Sequence, residues 1–124
     1  MTSTTKFIDA NIFIERWSNP KAEQLTNSLN REEHCTSVLV LAEVYHKLNQ
    51  KNVNNVFGYI RSIMGAIKVY DFTQQDFFDA VKNTLDVEIN DKIHLAVMRN
   101  NNVSAIISFD KGFDKDKAIK REDP

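Results

Sequence analysis

Four carboxylates fall where a chain can use them for chemistry: Asp9, Glu43, Asp91 and Asp110. Asp9 ends the apolar run Lys6-Phe7-Ile8, and Asp110 follows the apolar run Ser104 to Phe109; both runs read as short buried strands. In open parallel sheets, ligands sit beyond the carboxyl ends of the strands, where the strand order reverses. Two acids at two such ends are placed to share a site, although an Asp after a strand also serves simply to shape a turn or cap a helix. Glu43 is harder to explain by structure alone. It lies in an apolar helical stretch between Ala42 and Val44, and burying an unpaired carboxylate is costly. It must face solvent, pair with a base such as Lys47 one turn on, or bind a cation. Asp91, after Ile89-Asn90, falls at a helix start, where an acid also favours the helix dipole. Asp114 and Asp116 extend the acidic series into a charged loop that reads by default as solvated.

Acids gathered at strand ends repel one another, and nothing near them in sequence offers a fixed arginine. Mg²⁺ or Mn²⁺ would relieve that repulsion, because hard divalent ions take oxygen ligands. Such ions activate water and stabilise a leaving oxygen in phosphodiester hydrolysis.

The elements that must position these acids follow from the hydrophobic pattern. After the first strand, Asn11 to Trp17 places Ile12, Phe13 and Trp17 at helical spacing, and Pro20 opens a second helix over Lys21 to Leu29. Glu33 to Ser37 reads as a strand. Val38 to Gln50 is strongly helical, with Leu41, Val44, Tyr45 and Leu48 on one face and Thr36 or Ser37 as its cap. Val53, Phe57, Ile60, Ile63 and Met64 mark a helix ending near Gly65, and Ile67 to Phe72 a strand. Thr73 begins a helix carrying Phe77, Phe78, Val81 and Leu85. Asn90 or Asp91 opens the next, with Ile93, Ala96 and Val97 on one face. Ser104 to Phe109 is the most apolar strand, and Ile119-Lys120-Arg121 a last short edge strand. Strands alternating with helices imply an α/β fold, a central mainly parallel sheet flanked by helices. No linker or repeat divides residues 1–124, which read as a single domain.

The net charge of −1, from 16 basic and 17 acidic residues, argues against a protein that holds nucleic acid by bulk attraction. Contact with RNA must be local, through candidates such as Lys47, Lys51, Arg61, Lys92 and Lys111, or bridged by metal ions. No apolar run is long enough to span a bilayer, and no secretory signal is visible. The lone cysteine, Cys35, reads as a buried inert thiol and suits a reducing cytoplasm. Glu43-Val44-Tyr45-His46 has the Glu-x-x-His spacing of di-iron bundles but lacks the second motif and the further glutamates. His34 and His94 have no partner at zinc spacing and read as ordinary surface or core histidines. A phosphatase or receiver domain would need further acids after the first strand, where Asn11 stands.

Taken in order, Phe7-Ile8-Asp9-Ala10-Asn11, Thr36-Ser37 with Leu41-Ala42-Glu43-Val44, Asp91 with Leu95-Ala96, and Ser108-Phe109-Asp110-Lys111-Gly112-Phe113-Asp114 resemble a PIN-domain nuclease. They look closest to the VapC-type toxin ribonucleases. The resemblance implies a PIN-like α/β domain, Mg²⁺ or Mn²⁺ dependence and endonucleolytic cleavage of RNA. It implies that Asp9, Glu43, Asp91 and Asp110 form the catalytic acidic quartet, that all four contribute to metal binding, and that Asp114 is an additional, variable metal-binding acid. Asn11, Ser37 (or Thr36) and Ser108 match supporting polar positions, Ser108 orienting Asp110, and Phe113 matches a core position. It further implies a homodimer and, for a toxin, an antitoxin partner. A housekeeping RNA-processing nuclease shares this chemistry, and a non-catalytic PIN-like binding module is the remaining alternative.

Overall fold

The computed structural model describes residues 5–124; Met1 to Thr4, part of the polar stretch ahead of the first strand, lie outside the described residues. The sheet strands are β1 (Lys6–Ile8), β2 (His34–Ser37), β3 (Lys68–Tyr70), β4 (Ala105–Ile107) and β5 (Lys120–Glu122). They pair in the order β3-β2-β1-β4-β5, and every pairing is parallel. The sheet is therefore more uniform than the mainly parallel one expected. Its order reverses at β1: the chain moves outward through β2 and β3, then returns to place β4 on the other side. Phe7 is in register with Cys35 on one side and Ile106 on the other. A crevice beyond the carboxyl ends of β1 and β4 follows from that order.

Among the described residues the helices are α1 (Ala10–Ile14), α2 (Pro20–Asn27), α3 (Val38–Gln50), α4 (Val56–Ala66), α5 (Gln74–Lys82) and α6 (Ile89–Asn100). Two 3₁₀ turns, Glu15–Trp17 and Lys111–Lys115, complete the set. Side chains start several of these elements. Asn19 accepts from the amides of Lys21 and Ala22 ahead of Pro20, the expected proline-led start of α2. Ser37 caps α3 through Val40, and Thr73 and Asp76 form a reciprocal capping box on α5. Helix α6 begins two residues earlier than an Asp91 start requires, so Asp91 lies inside its first turn. Asn102, at φ 59°, takes the left-handed conformation between α6 and β4, a position asparagine tolerates better than most residues.

The core runs along both faces of the two central strands: Phe7, Ile8, Ile12, Phe13, Val44, Leu48, Leu95, Met98 and Ile106 are all fully buried. Phe113 is buried, as its position implied, and so is Cys35. Helix α3 packs on α1 and α4, while α5 packs on α6. Tyr59 ties α4 to α1 by donating its hydroxyl to the Phe13 carbonyl at 3.0 Å. No helix among the described residues is long and apolar enough to cross a membrane.

Candidate active site

Asp9 sits immediately beyond β1 as the N-cap of α1. It is only 6% exposed, and both carboxylate oxygens are engaged. Oδ1 accepts from the Ala10 amide at 2.8 Å; Oδ2 accepts from the Ser108 hydroxyl at 2.6 Å and from Asn11 Nδ2 at 3.3 Å. Ser108, just past β4 and fully buried, does more than one job. Its Oγ donates to Asp9 and accepts both from Asn11 Nδ2 at 3.1 Å and from the Asp110 amide at 3.0 Å. A hydroxyl has one proton and two lone pairs, so this one is saturated. It knits together the two strand ends that carry Asp9 and Asp110. Asn11 adds a second tie across them, its Oδ1 accepting from the Phe109 amide at 3.4 Å.

Asp110 caps the 3₁₀ turn that follows, accepting from the Gly112 amide at 2.8 Å. A Cβ on Gly112 would stand 3.0 Å from Asp110 Oδ1, so a glycine lets the turn close this tightly on the carboxylate. Asp114, one turn on, is held by Arg121 of β5, whose Nε lies 2.9 Å from Oδ1. The same guanidinium donates through Nη1 to the Ser108 carbonyl at 3.0 Å. Asp114 is thus an exposed acid already paired with a cation. Asp116 is buried and bonded to Arg99; it is not the solvated loop charge expected.

Glu43 and Asp91 arrive from helices. The Ser37 cap sets the start of α3 and hence the height of Glu43, whereas Thr36 turns away and bonds the Ile8 carbonyl at 2.9 Å. The base that Glu43 meets comes from another helix. His94 Nε2 lies 2.9 Å from Glu43 Oε1 and 3.9 Å from Asp9 Oδ1. His94 is therefore not an ordinary core or surface histidine: it is 1% exposed and lies against the acids. No motif flagged it, because its partners lie about fifty and eighty-five residues away in sequence and meet it only through the sheet. The one available signal was a histidine three residues after Asp91, which puts both on one face of α6. His46, the histidine of the Glu-x-x-His spacing, is exposed.

The electrostatics follow from this crowding. Burial pushes the Asp9 carboxyl above its ordinary range, and Glu43 adds to the effect, against opposing contributions from His94, Ser108 and the Ala10 amide. Asp91 is pushed up to about 6, first by burial and then by the charges of Asp9 and Asp110. Burial disfavours the His94 imidazolium, but Glu43, Asp9 and Asp91 outweigh it and raise the group. The four quartet acids thus act on one another's space. Asp114 does not figure among the groups that shift Asp91.

The donors are carboxylate oxygens, the type that hard divalent cations take. Glu43 Oε1 is buried without a well-aligned hydrogen-bond partner among the described residues, which leaves it coordinating capacity. By donor type and charge the residues fit such an ion. As they stand, no three acidic, histidine or cysteine side chains among the described residues are drawn together tightly enough to enclose one.

Comparison with solved structures finds the same architecture repeatedly. A toxin–antitoxin complex from Klebsiella pneumoniae superposes with a TM-score of 0.73 at 16% identity, over 93% of this chain and 95% of that one. VapC20 from Mycobacterium tuberculosis, a toxin that cleaves the sarcin–ricin loop, gives 0.72 at 20% identity, over 89% and 93%. VapBC2 from Rickettsia felis, bound to a promoter DNA fragment, gives 0.67 at 14% identity, over 96% and 98%. Identities this low speak for the fold alone. No curated protein matches the sequence. The PIN-domain family model, however, matches residues 6–117, a span that takes in all four acids, the Ser108 bridge and strands β1 to β4, and the chain belongs to the PIN-domain family.

Proposed function

We propose that this protein is a metal-dependent endoribonuclease, the toxin of a toxin–antitoxin pair. The observation that carries the reading is the meeting of Asp9, Glu43, Asp91 and Asp110 in a PIN domain, crowded enough that Asp91 is pushed up to about 6. Acids that feel one another's charge at the reversal point of a parallel sheet suit a cation site better than a structural cluster. Asp9, Glu43, Asp91 and Asp110 would hold Mg²⁺ or Mn²⁺, with Asp114, whose Oδ1 is taken by Arg121, contributing at most through its other oxygen. When bound, such an ion supplies Lewis acidity and charge neutralisation for hydrolysis of a phosphodiester. The chain's own residues do the rest. Ser108 and Asn11 fix the Asp9 carboxylate, the Gly112 amide fixes Asp110, and the α3 cap sets Glu43.

The near-neutral net charge makes local contacts decisive for RNA, and Lys92 and Lys111, next in sequence to Asp91 and Asp110, are the first candidates. The toxin reading is supported by the likeness to toxins of toxin–antitoxin complexes. An antitoxin and a second copy of the chain are the partners it calls for. The exposed apolar residues Trp17, Phe57 and Met64 offer surface for them.

The purified protein is expected to cut RNA with Mn²⁺ or Mg²⁺ and to stop on addition of EDTA. Asp9→Asn and Asp110→Asn are each expected to lose at least about a hundredfold in rate while keeping the wild-type circular dichroism spectrum. Cleavage that survives EDTA, or full activity in both variants, would overturn the reading.

A further inference from the structure

His94 has no role in the reading so far beyond its place among the acids. Its ring packs on Phe7, with centroids 5.8 Å apart, in a part of α6 where Ile93, Leu95, Ala96, Val97 and Met98 are all buried. An aliphatic side chain would fill that space without burying two ring nitrogens. The polar edge of the ring is the part that needs explaining. Nε2 points to Glu43 Oε1 at 2.9 Å, with Asp9 Oδ1 beyond at 3.9 Å. Nδ1 is buried with no hydrogen-bond partner among the described residues, and Nε2, though 2.9 Å from Oε1, is not well aligned on it either. Histidines that bind metals almost always donate their other ring N–H to a carboxylate or carbonyl. The bare Nδ1 therefore speaks against His94 as a ligand, and the 2.9 Å approach of Nε2 makes Glu43 Oε1 the nearer of its two carboxylate neighbours.

Glu43 needs a hydrogen-bond donor. Its side chain is 30% exposed and has three rotatable bonds, so an unanchored carboxylate would swing toward water and away from Asp9. We propose that His94 is a positioning residue: its Nε2–H holds Oε1 of Glu43 on the Asp9 side of the cluster, so the glutamate is in place before a divalent ion arrives. The inference rests on the metal-dependent reading above and adds to it a residue that touches neither ion nor RNA.

The test is Mn²⁺ binding to the intact protein, followed by the electron paramagnetic resonance signal of free Mn²⁺. It compares wild type, His94→Leu, His94→Asn, His94→Gln, Glu43→Gln and the double variant His94→Leu with Glu43→Gln. Loss of an outer-shell partner lowers metal affinity by about ten- to a hundredfold, so His94→Leu and the shorter His94→Asn are expected to bind Mn²⁺ at least about tenfold more weakly. His94→Gln, which keeps an N–H at similar reach, recovers most of the loss. The double variant binds no more weakly than Glu43→Gln alone, since both changes remove one interaction. In RNA cleavage, kcat falls while KM for RNA stays put. Wild-type Mn²⁺ affinity in His94→Leu or, if that variant does not fold, in His94→Asn overturns the inference; so do additive losses in the double variant. A wild type that neither binds Mn²⁺ nor cuts RNA overturns the ribonuclease reading and this inference with it. A wild type that does both while the His94 variants match it overturns this inference alone.

Discussion

Ser108 shows how much of the centre hangs on one small side chain. Its hydroxyl serves Asp9, Asn11 and Asp110 at once, and its carbonyl is held by Arg121. Hydrogen bonds to charged groups contribute more than neutral ones, and the bond from Ser108 is one of the few influences that pull the Asp9 carboxyl down. Ser108→Ala is expected to destabilise the fold by about 2 kcal/mol and to leave Asp9 harder to ionise. RNA cleavage at neutral pH should then fall by about tenfold or more and recover partly as pH rises; a pH–rate profile of the variant against wild type checks this. Strand-end position marked Asp9 and Asp110, and helical spacing marked Glu43 and the Ser37 cap; Asn11 and Ser108 were legible only through the family resemblance. Sequence left His94 and Arg121 dark. Both act on residues distant in the chain, and nothing in a histidine within an apolar helix, or an arginine near the end of a charged stretch, announces a partner that only the sheet supplies.

At the scale of elements, α3 was the easiest to read and α5 the most deceptive. The apolar spacing over Val38–Gln50 gave helix bounds that the structure keeps, and Leu41, Val44 and Leu48 are buried as that face requires. Tyr45, assigned to the same face, is 53% exposed. In α5 the periodic Phe77, Phe78 and Val81 all stand half-exposed or more, and Leu85 lies beyond the helix end. Periodicity identifies a helix but cannot say which neighbour covers its stripe. The strands were overdrawn at their ends: Ser104 to Phe109 contracts to Ala105–Ile107; the Ser108 amide still donates to the Glu122 carbonyl of β5, but its hydroxyl and carbonyl and the Phe109 amide turn to Asp9, Arg121 and Asn11. The element that sets Glu43 depends on one cap. Ser37→Ala removes the oxygen that receives the Val40 amide, at an expected cost of about 1 kcal/mol. Urea unfolding monitored by circular dichroism should show the midpoint fall without a change of slope.

For the whole molecule, the acid cluster couples stability to pH and, on the proposed reading, to metal. Asp91 is pushed up to about 6, so the folded chain holds that proton more tightly than the unfolded one. The stability this contributes is complete below the ordinary carboxyl range and is lost as pH rises through about 6. Asp9 and His94, also raised, act in the same direction: the metal-free protein should lose stability toward neutral pH on their account. A divalent ion favours the deprotonated acids, so its stabilisation should run the other way. The shift in Tm on adding Mn²⁺ is expected to be small near pH 5 and to grow through about pH 7; differential scanning calorimetry at fixed ionic strength measures it, and a shift independent of pH would contradict the account. The Asp9–Ser108 bond has a consequence in time as well as in space. Its two ends are 99 residues apart, so a chain under synthesis carries Asp9 long before it carries Ser108. A half-made chain carries the first acid but not the crevice. Until Ser108 has been made, Asp9 lacks the hydroxyl that holds its Oδ2, so the centre assembles only once β4 and the residues just past it have been synthesised.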